Sequence, residues 1–165
     1  MLDLSYFGCT GIFTTYYTGL SGMTNLKKLI YPVKQTSLGS NSSSVFADLV
    51  LMPEGLVDAG PMGGGRGTYV FPSTFAKCND SNYSLIRYPK GNVTVICKAV
   101  VPPIATRRII DYTSTTGKPT AIYVPDLSVD AYKTANGWSS HASIIKGLSE
   151  YPGEVPEYPL RTAIG

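Results

Sequence analysis

The sequence predicts an α+β fold: an antiparallel β-sheet covered on one face by two C-terminal helices. Three observations carry that expectation. The 165 residues are 43% hydrophobic but only 15% charged, with 12 Tyr and 17 Gly, a balance common in β-rich folded chains. Strand-type runs fill the chain as far as Asn136. After Gly137 the apolar spacing changes from the period of a strand to that of a helix. A chain of this length is most simply one domain, 1–165. Its parts are a β region over 1–66, central strands and a long loop over 67–136, and helices over 137–165.

The elements follow in order. "GIFTTYYTG" and "NLKKLIYPVKQT" are short β-like runs, "SLGSNSSS" is a polar loop, and "VFADLVLM" is a strand stopped by Pro53. "GPMGGGRG" reads as a flexible loop. "TYVFPSTFA", "YSLIRY" and "VTVICKAVV" are strands, the last two forming a hairpin around "PKGN" within residues 82–103. "VVPPIATRRIIDYTSTTGKP" is a long loop or extended arm, and "TAIYVPDLSVDAYKT" is the last strand, with Asp126 and Asp130 on one face. In "SSHASIIKGLSEYPG", Ala142, Ile145 and Leu148 share one helical face. Ser139 or Ser140 caps its start and Pro152-Gly153 stops it. "VPEYPLRTAIG" is a second, short helix. No internal repeat is read from the sequence.

Several function classes are disfavoured. His141 is the sole histidine, and its place beside Ser139 and Ser140 is explained by a helix start better than by a Ser–His pair. "GPMGGGRGT" lacks the lysine and the strand–loop–helix setting of a phosphate loop. No cluster has metal-ligand spacing, so the expectation is a non-enzyme with no cofactor and no metal. No run approaches a membrane span of about 20 apolar residues. The opening lacks the basic region of a signal peptide, and the initial Met points to a cytosolic product. Cys9, Cys78 and Cys97 contain no C-x-x-C, and Cys97 reads as a buried free thiol. Asn41, Asn79, Asn82 and Asn92 each open a glycosylation sequon.

What remains is a sheet with one polar face inside a basic segment. Between Arg66 and Lys118, eight Lys/Arg stand against only Asp80 and Asp111. In "NVTVICKAV", Val93, Val95, Cys97 and Ala99 point one way, and Asn92, Thr94, Ile96 and Lys98 the other. Hydroxyl and ammonium groups on the second side suit phosphates and unstacked bases.

From Gly67 onward the chain resembles the coat protein of single-stranded RNA bacteriophages, the levivirus type. "GTYVFPSTFAKCNDSNYSLIRY" and "PKGNVTVICKAVVP" are similar to that family's three central strands. "VPPIATRRIIDYTSTTGKP" resembles its long loop, and "PDLSVDAYKTANGWSSHASIIKGLSEYPGEVPEYPLRTAIG" resembles its last strand and two helices. The resemblance covers about 100 residues by pattern and spacing, and the 66 residues before Gly67 exceed the family's usual short hairpin.

The resemblance implies an N-terminal hairpin and helices packed over the sheet of a dimer partner. It also implies a capsid protein whose homodimers close into an icosahedral shell around single-stranded genomic RNA. Such a protein would belong to the virion and assemble in the bacterial host cytoplasm. Several members also bind an RNA hairpin and repress translation. By position the implied RNA face is Lys98, Thr94 and Ile96, with Ser84 and Ile86 on the neighbouring strand and Ser128 and Tyr132 on the last. The implied dimer and shell interface is Ala142, Ile145 and Leu148, with Arg107 and Arg108 in the loop. The alternative from the residues is a secreted or surface β-rich binding module, glycosylated and holding a Cys78–Cys97 disulfide.

Overall fold

The computed structural model describes residues 1–3, 25–31, 36–38, 41–78 and 82–159. The strands are β1 (Leu2–Asp3), β2 (Leu26–Ile30), β3 (Ser37–Leu38), β4 (Asn41–Leu51), β5 (Asp58–Ala59) and β6 (Met62–Phe71). They continue with β7 (Lys77–Cys78), β8 (Ile86–Arg87), β9 (Val93–Cys97), β10 (Ile110–Asp111), β11 (Pro119–Val124) and β12 (Ile145–Gly147). Every pairing among them is parallel, and the main sheet runs β1-β2-β4-β6-β9-β11-β12. The chain therefore coils as a solenoid, each turn laying a strand on the one before. The antiparallel α+β expectation is overturned.

Three ladders make three walls. In the first, Leu2, Leu29, Val50, Tyr69, Val95, Ile122 and Ile145 stand in register. In the second, Ser37, Asp58 and Lys77 align, extended by a bridge to Ile104. In the third, Asn41, Met62, Ile86 and Ile110 align. Leu29, Val50, Tyr69, Val95, Ile122 and Ile145 fill the interior together with Met62, Ile86 and Ile110. Each such burial contributes about 1.5–3 kcal/mol.

The register exposes a repeat that the sequence reading missed. In "LIYP", "VLMP", "YVFP" and "IYVP", the strand residues starting at Leu29, Val50, Tyr69 and Ile122 occupy the same place in successive coils, Pro32 lying outside the described residues; "VICK" at Val95 is the variant without proline. Three apolar residues in a row mark a strand buried on both faces, as parallel sheets require. Proline then ends the strand because it has no N–H to donate. The corner after it recurs: Leu56, Phe75 and Ser128 donate backbone N–H to the carbonyls of Pro53, Pro72 and Pro125 at 3.1, 3.2 and 2.8 Å.

The hairpin expected over 82–103 does not form. β8 pairs with β6 and β10, whereas β9 pairs with β6 and β11. At "PKGN" the chain turns a corner instead of reversing. Lys90 and Gly91 donate to Gly65 O at 2.8 and 3.1 Å, and Gly117 donates to Pro89 O at 2.7 Å. A Cβ on Gly117 would lie 1.9 Å from Gly91 O, so only glycine lets these corners stack. "GPMGGGRG", expected as a loop, is largely the start of β6.

The C-terminal expectations also change. "VDAYKT", read as strand, is the one α-helix among the described residues, α1 (Val129–Thr134). The expected helix over 139–151 is instead a 3-10 turn (Ser139–Ile144), β12, and a second 3-10 turn (Leu148–Glu150). Residues 154–159 hold no helix, and 160–165 lie outside the described residues. The expected N-terminal hairpin falls mostly on 4–24, also outside them; β1 and β2 pair in parallel.

α1 and the following turn close the end of the solenoid. Trp138 and Tyr132, both fully buried, meet edge-to-face at 4.8 Å. Trp138 Nε1 donates to Pro103 O at 2.9 Å, Tyr132 Oη to Ala99 O at 2.7 Å, and Ser128 Oγ to Val100 O at 2.7 Å. Ile110 N donates to Nε2 of buried His141 at 3.3 Å. Carbonyls and an N–H of the preceding coil, which no further coil will pair, are thus satisfied by side chains.

Candidate binding surfaces

The alternation read for β9 matches the packing: Val93, Val95, Cys97 and Ala99 lie in the interior. Thr94, Ile96 and Lys98 point outward, but that side is not an open surface. Ile30, Leu51, Val70, Ile96 and Tyr123 form a second apolar cluster, covered by Leu148, Tyr151, Val155 and Tyr158. The chain after β12 is a strap across the sheet. Tyr151 meets Tyr123 edge-on at 5.0 Å, Glu157 pairs with Lys98 at 2.5 Å, and Tyr158 Oη donates to Tyr31 O.

The seven residues expected to face RNA are therefore not one face. Ile96 is buried under the strap, and Lys98 keeps 18% side-chain exposure in its ion pair. Thr94 is half-buried and hydrogen-bonded to Thr120 at 2.9 Å. Ser84 is buried, and Ile86 lies inside the third wall. Ser128 and Tyr132 belong to the cap, their hydroxyls committed to backbone carbonyls. The expected interface also divides. Ile145 is interior, Leu148 packs under the strap, and Ala142 is half-buried in the 3-10 turn. Arg107 and Arg108 are exposed, as a loop position implies.

Other groups are spoken for. Asp126 and Asp130 do not form a carboxylate pair on a strand. Asp126 accepts from Ser149 N and Oγ at 3.2 and 2.6 Å, and these bonds hold its carboxyl below the usual range. Cys78 and Cys97 are free thiols rather than a disulfide. Burial pushes Cys97 up to about 11 and Cys78 to about 12, so neither is a thiolate at neutral pH. No trio of His, Cys, Asp or Glu among the described residues is arranged to hold a metal. No helix among them is long and apolar enough to cross a membrane. Of the sequons, Asn82 and Asn92 are exposed, Asn41 opens β4, and Asn79 lies outside the described residues.

Two surfaces among the described residues stay open. The first is an apolar corner in the loop after β9, where Val100, Val101 and Ile104 are 67%, 75% and 66% exposed. They rim a groove of about 400 Å³ whose floor includes Phe75 and Ala99. Leu127, fully exposed, stands just before the Ser128 that holds Val100 O. The sequence signal was present as the apolar run "AVVPPIA" inside a supposed loop.

The second surface is the outside of the third wall. Gly63, Arg87 and Asp111 stand in register there, and Tyr88 N donates to Asp111 O at 2.7 Å. The Arg87 guanidinium lies 4.1 Å from the Tyr83 ring centre and 5.9 Å from that of Tyr88. One coil on, Arg108 lies 5.9 Å from the Tyr112 ring centre and pairs with Asp111. Residue-by-residue reading missed this group because the register that gathers it is non-local. No family model, curated protein or solved structure matches the chain.

Proposed function

We propose that the chain is a non-enzymatic structural module that self-associates through the apolar corner of its solenoid. One observation carries the reading: Val100, Val101 and Ile104 are contiguous, each about two-thirds exposed or more, and rim a groove. Burying three such side chains against a second copy is favourable by about 1.5 kcal/mol or more each, before association costs. Exposed apolar clusters of this kind mark interfaces. The corner lies in the loop that the coat-protein resemblance assigns to contacts between subunits. A closed icosahedral shell in a virion is the form which that resemblance gives to the assembly. Helices exchanged over a partner's sheet are no part of the proposal, because that helix pair is absent among the described residues.

Size-exclusion chromatography with light scattering tests this at micromolar concentration, followed by electron microscopy of the assembled fraction. The expected result is an oligomer that Val101→Lys or Ile104→Lys dissociates without loss of thermal stability. Wild-type protein running as a 17.7 kDa monomer overturns the reading.

A further inference from the structure

We infer that the outside of the third wall binds single-stranded nucleic acid without sequence preference, through two Arg–Tyr stacks on adjacent coils. The inference is independent of self-association, since it uses a different wall. Tyr83 and Tyr88 are 49% and 43% exposed although aromatic. Arg87 lies over the Tyr83 ring and within cation–π reach of Tyr88, and among the described residues it meets no carboxylate. Arg108 and the half-buried Tyr112 make a second Arg–Tyr contact on the next coil, where Asp111 stands opposite Arg87.

Exposed phenol rings with guanidinium groups over or beside them offer π faces on which planar bases can stack, whichever base it is. The flanking charges supply the other half of the site. Exposed Lys90 and Lys118 follow on the two coils, whose corners meet through the Gly117-to-Pro89 hydrogen bond. Asp111 is the acid in register here, and its charge is taken up by Arg108. Cations beside stacking rings give affinity for backbone and base planes rather than for a sequence. A duplex hides those planes, so single strands are the ligand. The polar sheet face chosen from sequence cannot do this, because the strap occupies it.

The probes are fluorescein-labelled oligo(U) and oligo(dT) of about ten nucleotides, a length suited to such sites, read by anisotropy on the full chain. Binding that weakens as salt rises is expected. Tyr83→Ala should weaken it about tenfold through lost stacking. Arg87→Ala should weaken it similarly and flatten the salt dependence by about one charge. Arg87→Lys should restore the salt slope but not the full affinity, whereas Lys146→Ala on β12 should change nothing. Circular dichroism melting confirms that each variant is folded. Preference for oligo(U) or for oligo(dT) identifies RNA or DNA as the source, and either supports the site. Equal binding of duplex, inorganic polyphosphate or heparin overturns it, as does wild-type affinity in Tyr83→Ala or no binding at low salt.

Discussion

The two sides of the main sheet carry almost the same residues but are buried by different means. Inside stand Leu29, Val50, Tyr69, Val95 and Ile122; outside, one residue later, stand Ile30, Leu51, Val70, Ile96 and Tyr123. The inner column is closed by the other two walls and the cap, so uncovering it means uncoiling the solenoid. The outer column is closed by a single strap, joined to its last 3-10 turn through exposed Pro152 and Gly153. Equal apolarity therefore does not mean equal stability. The strap can open as a local unit while the coils stay shut.

The largest expected effect breaks the inner side at its end. Trp138→Ala removes a fully buried indole, its edge-to-face contact with Tyr132 and its bond to Pro103 O. It should cost about 3–5 kcal/mol in urea unfolding, with loss of the whole cooperative transition. A change of less than 1 kcal/mol would mean that the cap does not close the stack.

Acid probes the same end with a smaller effect. Desolvation, with the nearby Arg108 charge, lowers the His141 pKa to about 4 from 6.5. Between those values the unfolded chain binds a proton that the folded chain refuses. His141 thus leaves stability intact above pH 6.5 and subtracts from it as pH falls toward 4, by up to about 3 kcal/mol. Asp48 and Asp126, with lowered carboxyl pKa values, lose their contributions only at lower pH. Urea midpoints measured from pH 7 to 4 should fall in wild type and stay flatter in His141→Gln. Parallel curves would remove His141 from the cap's energetics.

The smallest effects belong to the strap. Tyr158→Phe deletes the hydroxyl bond to Tyr31 O and should cost about 1 kcal/mol. Glu157→Gln should cost less than about 1 kcal/mol, because Glu157 is 72% exposed and its pair with Lys98 is screened by salt. Hydrogen exchange is the sharper measurement. Both variants should speed exchange of strap amides while those of β6 and β9 stay protected. Uniform acceleration would show that the strap and the coils open together.

Some of this was legible without coordinates. The alternation along "NVTVICKAV" sorted Val95 and Cys97 from Thr94 and Lys98 correctly, because the pleat period depends only on neighbouring residues. The free, buried state of Cys97 followed from the same pattern. The recurring "LIYP", "VLMP", "YVFP" and "IYVP" were also present in the sequence, and their spacing along the chain predicts coils instead of a hairpin. Other features belong to the tertiary structure alone. Whether Ile96 faces solvent or a strap depends on residues 148–158, and that Arg87 and Asp111 lie side by side on neighbouring strands depends on a register between coils. Side-chain direction is a local property of the backbone, whereas pairing partner and strand direction are set by contacts one coil away. Three apolar residues in a row fit a hairpin and a solenoid equally until those contacts form.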